Sequence, residues 1–287
     1  MYPILFTIPI PAIPGILPNG ATIPVFSYGT LIALGFFSAY LYTSWLARRR
    51  GLDEEDITDI FLVIILSSIL GARTNYVISH WQQYASDPLS VFRVWEGGMV
   101  YLGGYLGAMV GAIVYLRYRG LAMGPYFDLF GPAVPFAAAL GRLGCVLNGC
   151  CYGTPTSLPW AISFPTRGGW SEPRHPTQIY EMILLVTIAI VLHVYYQRNR
   201  VPGMVMVGYG YLYSIERFAI EFIRGESEHE SYLFGTTLAQ TTSIFVVLLT
   251  AAYHVYLARN VPPGPLPSEF LKLSADAAEA KKPEVHG

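Results

Sequence analysis

The chain has 287 residues, 53% of them hydrophobic and 13% charged, with a formal net charge of −1 and a mean hydropathy of +0.42. Soluble domains carry about a quarter charged residues, so the composition excludes an ordinary soluble protein, and the near-zero charge lacks the basic footprint of a nucleic-acid binder. The charges fall between long uncharged stretches, the pattern of a polytopic membrane protein.

Met1 to Pro24 is apolar, uncharged and proline-rich. It has neither the basic start nor the unbroken apolar core of a secretory signal. Residues 1–27 are therefore expected to form an outer-surface interfacial segment, with Thr7 to Ile16 partly inserted. Seven spans follow, at about 28–46, 57–79, 99–116, 129–147, 178–196, 203–222 and 236–256. Each is long enough to cross about 30 Å of hydrocarbon as a helix. Arg48 to Arg50, Arg117 and Arg119, Arg198 and Arg200, then Arg259, Lys272, Lys281 and Lys282 follow spans one, three, five and seven. The positive-inside tendency puts all of them on the cytoplasmic side. The expected fold is an all-α polytopic membrane protein with seven transmembrane helices, an outside N-terminus and a cytoplasmic C-terminus. Residues 28–256 form the membrane domain. Residues 257–287, rich in Pro, Ala, Lys and Glu, are expected to form a disordered cytoplasmic tail.

The other basic residues are Arg73, Arg93, Arg142, Arg167, Arg174, Arg217 and Arg224, at or near the outer ends of spans. Two readings stand side by side: ion pairs with Glu96, Glu172, Glu216 or Glu221, or a basic pocket facing the outer leaflet. At the end of span two, Arg73, Tyr76 and His80 share a helix face. An interfacial aromatic belt explains Tyr76 and Trp81 but leaves Arg73 unexplained. Gly103, Gly104, Gly107 and Gly111 read as close helix packing.

The central stretch, Gly141 to Pro155, reads GRLGCVLNGCCYGTP and places Arg142 and Asn148 in or beside span four. An arginine at membrane depth costs from about 2.5 to more than 10 kcal/mol, so a carboxylate or a lipid headgroup should pair with it. Residues 152–176, rich in Gly, Pro and Trp, should form a small outer cap, with a strand possible at Trp160 to Phe164. Thr177 reads as the N-cap of span five, behind Pro176. Glu181 either closes that cap or faces the pocket. In span six Arg217, Glu221 and Arg224 share a face, and one carboxylate between two guanidiniums favours an anion. Cys145, Cys150 and Cys151 have a poor zinc spacing. No metal is assigned to them; buried inert thiols and a disulfide both remain open.

Together these stretches resemble the prolipoprotein diacylglyceryl transferase family. The matching pieces are Tyr28-Gly29, Gly71-Ala72-Arg73 to Tyr76, Asp87-Pro88, and Phe92-Arg93-Val94-Trp95-Glu96-Gly97-Gly98. Gly103-Gly104, Gly141-Arg142-Leu143-Gly144, Asn148-Gly149 and Gly153 continue the set. Arg174-His175-Pro176-Thr177-Gln178-Ile179-Tyr180-Glu181, Arg217-Phe218, Glu221-Phe222 and Arg224 complete it. The resemblance implies a seven-helix protein of the bacterial inner membrane, with a periplasmic cap and an active site toward the outer leaflet. It implies transfer of a diacylglyceryl group from phosphatidylglycerol to the lipobox cysteine of a preprolipoprotein signal peptide, releasing glycerol phosphate without a metal or redox cofactor. Leu102 stands where the family commonly has histidine or tyrosine, Cys145 where it has asparagine, and Cys150 where it has glutamate. A paralogue acting on another acceptor, or a non-catalytic phospholipid-binding or transport protein, is the alternative.

Charge stabilisation should outweigh base catalysis in such a reaction. A thiol of pKa about 8.5 is about 3% thiolate at pH 7, so full deprotonation gains about 30-fold. One well-aimed donor to a developing anion is worth about 10²–10³-fold. Arg142 and Arg217 are therefore the candidate catalytic residues. Tyr28, Arg73, Tyr76, Asn148, His175, Glu181, Glu221 and Arg224 are the candidate substrate-binding residues.

Overall fold

The computed structural model describes residues 3–10, 21–85, 87–93, 97–166, 168–224 and 235–264. Glu96, Arg167, Lys272, Lys281 and Lys282 lie outside the described residues, as do 11–20 of the expected interfacial segment and 265–287 of the expected tail. The chain divides into two units, Met1–Thr43 with Phe127–Gly287, and Ser44–Tyr126.

Long helices stand at all seven expected positions: α1 (Ser27–Arg50), α2 (Glu54–Ser79), α4 (Tyr101–Tyr118), α5 (Met123–Asn148), α6 (Thr177–Arg198), α7 (Met204–Ile220) and α8 (Leu238–Asn260). A short helix, α3 (Trp81–Tyr84), follows α2. Five of them, α1, α2, α5, α6 and α8, are long and apolar enough to cross a membrane, which makes this a multi-pass membrane protein. α4 and α7 have 18 and 17 residues. The last turns of α1, α4, α6 and α8 carry arginine, where it also complements the negative end of the helix dipole.

Not all of the chain is helical. β1 (Ile4–Ile10) and β2 (Ala21–Phe26) pair antiparallel, with Phe6 opposite Val25 and Ile8 opposite Ile23. Both are rich in β-branched residues, and Pro9 and Pro24 are tolerated because each strand of a two-stranded sheet is an edge. Phe6, Ile23 and Phe26 are all at least half exposed.

Within the Ser44–Tyr126 unit, α2 begins at Asp53, whose carboxylate accepts from the Glu55 amide at 2.9 Å. Its buried neighbour Asp56 accepts from the Tyr126 hydroxyl at 2.8 Å and from Arg119 Nη2 at 3.0 Å. Further along, α2 and α4 touch backbone to backbone. A Cβ on Gly71 would meet the Gly103 carbonyl oxygen at 2.3 Å, and one on Gly107 would meet the Ser67 carbonyl oxygen at 2.3 Å. The expected packing role of these glycines is thus seen atom by atom.

In the other unit α5 supplies several of the contacts. It carries Pro132 and Pro135 internally, and Gly35 of α1 approaches the Ala137 carbonyl too closely to admit a side chain. Asp128, fully buried on α5, accepts from the backbone N–H groups of Gly203 at 2.8 Å and Val205 at 2.9 Å. A buried carboxylate so placed satisfies the open N–H groups that begin α7. α8 starts on a capping box between Thr237 and Gln240.

The cap differs in detail from expectation. Trp160 to Phe164 is not a strand; the only paired strands in the cap among the described residues are β3 (Pro165–Thr166) and β4 (Gly169–Trp170). Isolated bridges from Arg174 to Pro155 and to Ile162 hold the rest. Thr177 is not the N-cap of α6: that position is Pro176, and the Thr177 hydroxyl instead donates to the Cys151 carbonyl at 2.8 Å.

Candidate active site

Three arginines and three glutamates from distant parts of the chain meet in the larger unit. Arg142, near the end of α5, forms an ion pair with Glu181 in the second turn of α6. Arg224, just past the end of α7, reaches the other oxygen of Glu181 at 3.9 Å. Arg217 pairs with Glu221 at 2.7 Å across one turn. Glu221 is held in turn by the Thr237 hydroxyl at 3.0 Å, so the residue that caps α8 also positions a carboxylate of the cluster. Glu181 is 1% exposed. The choice between capping and facing the pocket is thereby decided: Glu181 lies between two guanidiniums.

Glu216 is the carboxylate that sequence reasoning had offered only as an ion-pair partner. It is buried, and neither of its oxygens has a hydrogen-bond partner among the described residues. Arg142, Arg217, Arg224 and Glu181 all lie within its electrostatic reach. Its position in the sequence, immediately before Arg217 in an apolar span, was the available signal.

The arginine side chains keep 13–20% of their surface, while Glu181 and Glu221 keep 1% and 5%. Buried carboxylates against partly exposed guanidiniums fix the donors, and the exposed edges of Arg142 and Arg217 can meet an anion. A guanidinium meets phosphate through two parallel N–H···O bonds, which a lysine cannot reproduce.

Three other expected residues lie in the same unit. Tyr28, at the start of α1, lies against α5 where a Cβ on Gly144 would meet its ring at 3.1 Å. Asn148 is exposed at the end of α5, its amide 3.5 Å from the Cys150 sulfur. His175 lies in the cap, with Nδ1 3.4 Å from the Tyr180 hydroxyl, which also accepts from Trp160 Nε1 at 2.6 Å. The cap backbone also pairs with Arg224: Gly153 and Arg224 form an isolated bridge, and a Cβ on Gly153 would meet the Ile223 carbonyl oxygen at 2.4 Å. Only glycine fits there.

A profile of the family described as prolipoprotein diacylglyceryl transferase matches residues 16–256. The chain is 35% identical over 238 residues to a protein of Geobacter sulfurreducens named phosphatidylglycerol–prolipoprotein diacylglyceryl transferase, covering 81% of this chain and 91% of that one. Proteins of the same name from Vibrio vulnificus (35% identity, 79% of this chain and 84% of the relative) and Methylococcus capsulatus (31%, 85% and 97%) are similar to it as well. The chain belongs to the prolipoprotein diacylglyceryl transferase family.

In this member of the prolipoprotein diacylglyceryl transferase family, two expected site residues have other employment. Arg73 and Tyr76 belong to the Ser44–Tyr126 unit. All five N–H groups of Arg73 are used on backbone carbonyls: Nε on Val91 at 2.7 Å, Nη1 on Gly97 and Gly98, and Nη2 on Ser90 and Arg93. A guanidinium has five donors, so none is left for a lipid phosphate. Tyr76 stacks on His80 at 4.2 Å and lies against Gly98, where a Cβ would come within 2.6 Å of its ring. Both residues hold the loop that precedes α4. Of the ion pairs expected from sequence, Arg174 with Glu172 and Arg217 with Glu221 form.

Proposed function

We propose that this protein moves a diacylglyceryl group from phosphatidylglycerol to the lipobox cysteine thiol of a prolipoprotein signal peptide, with Arg142 and Arg217 as the catalytic residues. The observation that carries the reading is the set of partly open guanidiniums of Arg142, Arg217 and Arg224, each fixed from behind by a buried glutamate. The acceptor sulfur bonds to the glycerol carbon of the lipid. The bond from that carbon to the phosphate oxygen breaks, and its electron pair leaves on glycerol phosphate. Arg142 and Arg217 stabilise the growing negative charge, the larger of the two contributions estimated above. The thiol proton goes to Glu216, the buried carboxylate whose oxygens are otherwise unused. This choice supplies a proton acceptor in a chain that has Leu102 where its family commonly has histidine or tyrosine. The step transfers no electrons, so the reading includes no redox cofactor.

Glu181, Glu221 and Arg224 orient the catalytic arginines, while Tyr28, Asn148 and His175 border the bound headgroup. The arginines that end α1, α4, α6 and α8 support an outside N-terminus and a cytoplasmic C-terminus, with all seven long helices spanning. That orientation turns the cap and the arginine cluster toward the periplasmic leaflet of the bacterial inner membrane. Residues 1–27 then lie on the outer surface, and the exposed apolar side chains of β1 and β2 suit a lipid interface. The test is incubation of the purified protein with phosphatidylglycerol and a lipobox peptide in detergent. Thioether product with matching glycerol phosphate release is expected. Lipid binding without turnover on any lipobox peptide would make the protein a phospholipid carrier instead.

A further inference from the structure

The stretch between α5 and the cap does something the arginine cluster does not require. Cys145, Cys150 and Cys151 are five and one residues apart, and their spacing alone argues against a metal site. The fold nevertheless brings all three sulfurs within 4.8 Å of one another, and none is in a disulfide.

Several features produce that convergence. Cys145 is buried in the last turns of α5. Gly149 and Cys151 both adopt left-handed backbone angles, φ 72° and φ 61°, and reverse the chain over the helix end. Cys151 is the only non-glycine residue with positive φ among the described residues. A left-handed backbone is disfavoured for a side-chain-bearing residue and persists where the surroundings impose it. Here α6 imposes it: fully buried Gln178 donates to the Cys150 carbonyl at 2.6 Å, and Thr177 donates to the Cys151 carbonyl. Cys150 folds back so that its sulfur lies 3.9 Å from the Cys145 carbonyl oxygen, and the Asn148 amide points a donor at that sulfur from 3.5 Å.

We infer that Cys145, Cys150 and Cys151 form a three-thiolate site for a soft, thiophilic cation of the Zn(II) or Cu(I) class. Three sulfurs around one ion at about 2.3 Å lie roughly 3.8–4.0 Å apart, so the cluster must draw in by less than about 1 Å. Soft thiolate donors select this class over Mg(II) or Ca(II). A disulfide would use two of the thiols and leave the third; convergence of all three suits a single ion better.

Binding also has a consequence for the neighbouring cluster. Three thiolates with one Zn(II) carry a net charge of −1, and Cys145 lies one helical turn from Arg142 on the same face. A negative site there competes with a lipid phosphate for the Arg142 guanidinium. This consequence rests on the lipid-transfer reading; metal binding does not.

The experiment uses the full-length protein in detergent, stripped of metal and reduced, and titrated with Zn(II) against a chromophoric chelator and separately with Co(II). One equivalent of Zn(II) and a sulfur-to-cobalt charge-transfer band are expected, both lost in Cys150→Ser and in Cys151→Ser. These half-buried positions are chosen because Cys145 sits in the core, and a melting curve confirms that each variant is folded. Absence of the band in folded wild type, or its retention in both variants, overturns the proposal. So does isolation of the protein from membranes with only one alkylatable thiol, which would make the cluster a disulfide-forming one. Binding with no slowing of lipid transfer overturns only the competition with phosphate.

Discussion

Arg142→Lys separates the catalytic role of the arginine from its structural one. Arg142 pairs with Glu181, which is 1% exposed, so truncation to alanine leaves a buried carboxylate without its nearest cation, the Arg224 guanidinium being 3.9 Å away. Breaking a buried pair in that way costs about 3–5 kcal/mol, enough for an inactive alanine variant to be merely unfolded. Lysine keeps a positive charge opposite Glu181 but has no planar fork for phosphate. Its melting temperature in detergent should therefore stay near that of the wild type. Its rate of glycerol phosphate release with a lipobox peptide should fall about 10²–10³-fold, or about 2.7–4 kcal/mol of transition-state stabilisation. Arg142→Ala combined with Glu181→Gln should recover most of the stability lost in the single alanine variant and none of the rate. If folded Arg142→Lys retains activity within a few-fold of wild type, Arg142 does not carry the anion, and the reasoning fails.

Glu216→Gln removes the proposed proton acceptor and should lower the transfer rate by up to about 30-fold at neutral pH, with the KM for phosphatidylglycerol little changed. An equal rise in KM with no fall in maximal rate would assign Glu216 to lipid binding instead. Gly71→Val places a side chain against the Gly103 carbonyl at the α2–α4 contact and should destabilise the fold by about 1–3 kcal/mol, read by denaturant titration. Gly29→Ala meets nothing within 4 Å and should be neutral or stabilising by about 0.5–1 kcal/mol in the same titration. Arg73→Gln removes most of the donors that hold the carbonyls of Ser90, Val91, Arg93, Gly97 and Gly98, and limited proteolysis should cut near these residues faster than in wild type.

The helices were legible because hydropathy and arginine-marked ends are local properties, and a backbone in lipid has to satisfy its own hydrogen bonds. Glycine spacing likewise marked α4 for close packing, since only small residues let backbones approach, but did not say that α2 is the partner. The pairing of β1 with β2 was harder to read: each strand is mostly apolar with one proline and one threonine, a composition that matches an interfacial segment as well as a sheet. Arginines 142, 217 and 224 could be nominated from sequence because a charge in an apolar span demands a partner. Which carboxylate answers each of them could not, because Glu181 meets Arg142 and Arg224 only when α5, α6 and the end of α7 come together. Arg73 carries the same sequence signal as Arg142, yet its five donors end on loop carbonyls, and backbone carbonyls leave no mark in a sequence. The three cysteines make the same point from the other side: a spacing unsuited to a metal becomes a cluster once Gly149 and Cys151 turn left-handed and α6 pins the Cys150 and Cys151 carbonyls. Composition and hydropathy decided where the long apolar helices lie and which charges needed explaining. Long-range packing decided which of those charges face one another and which are spent on the backbone.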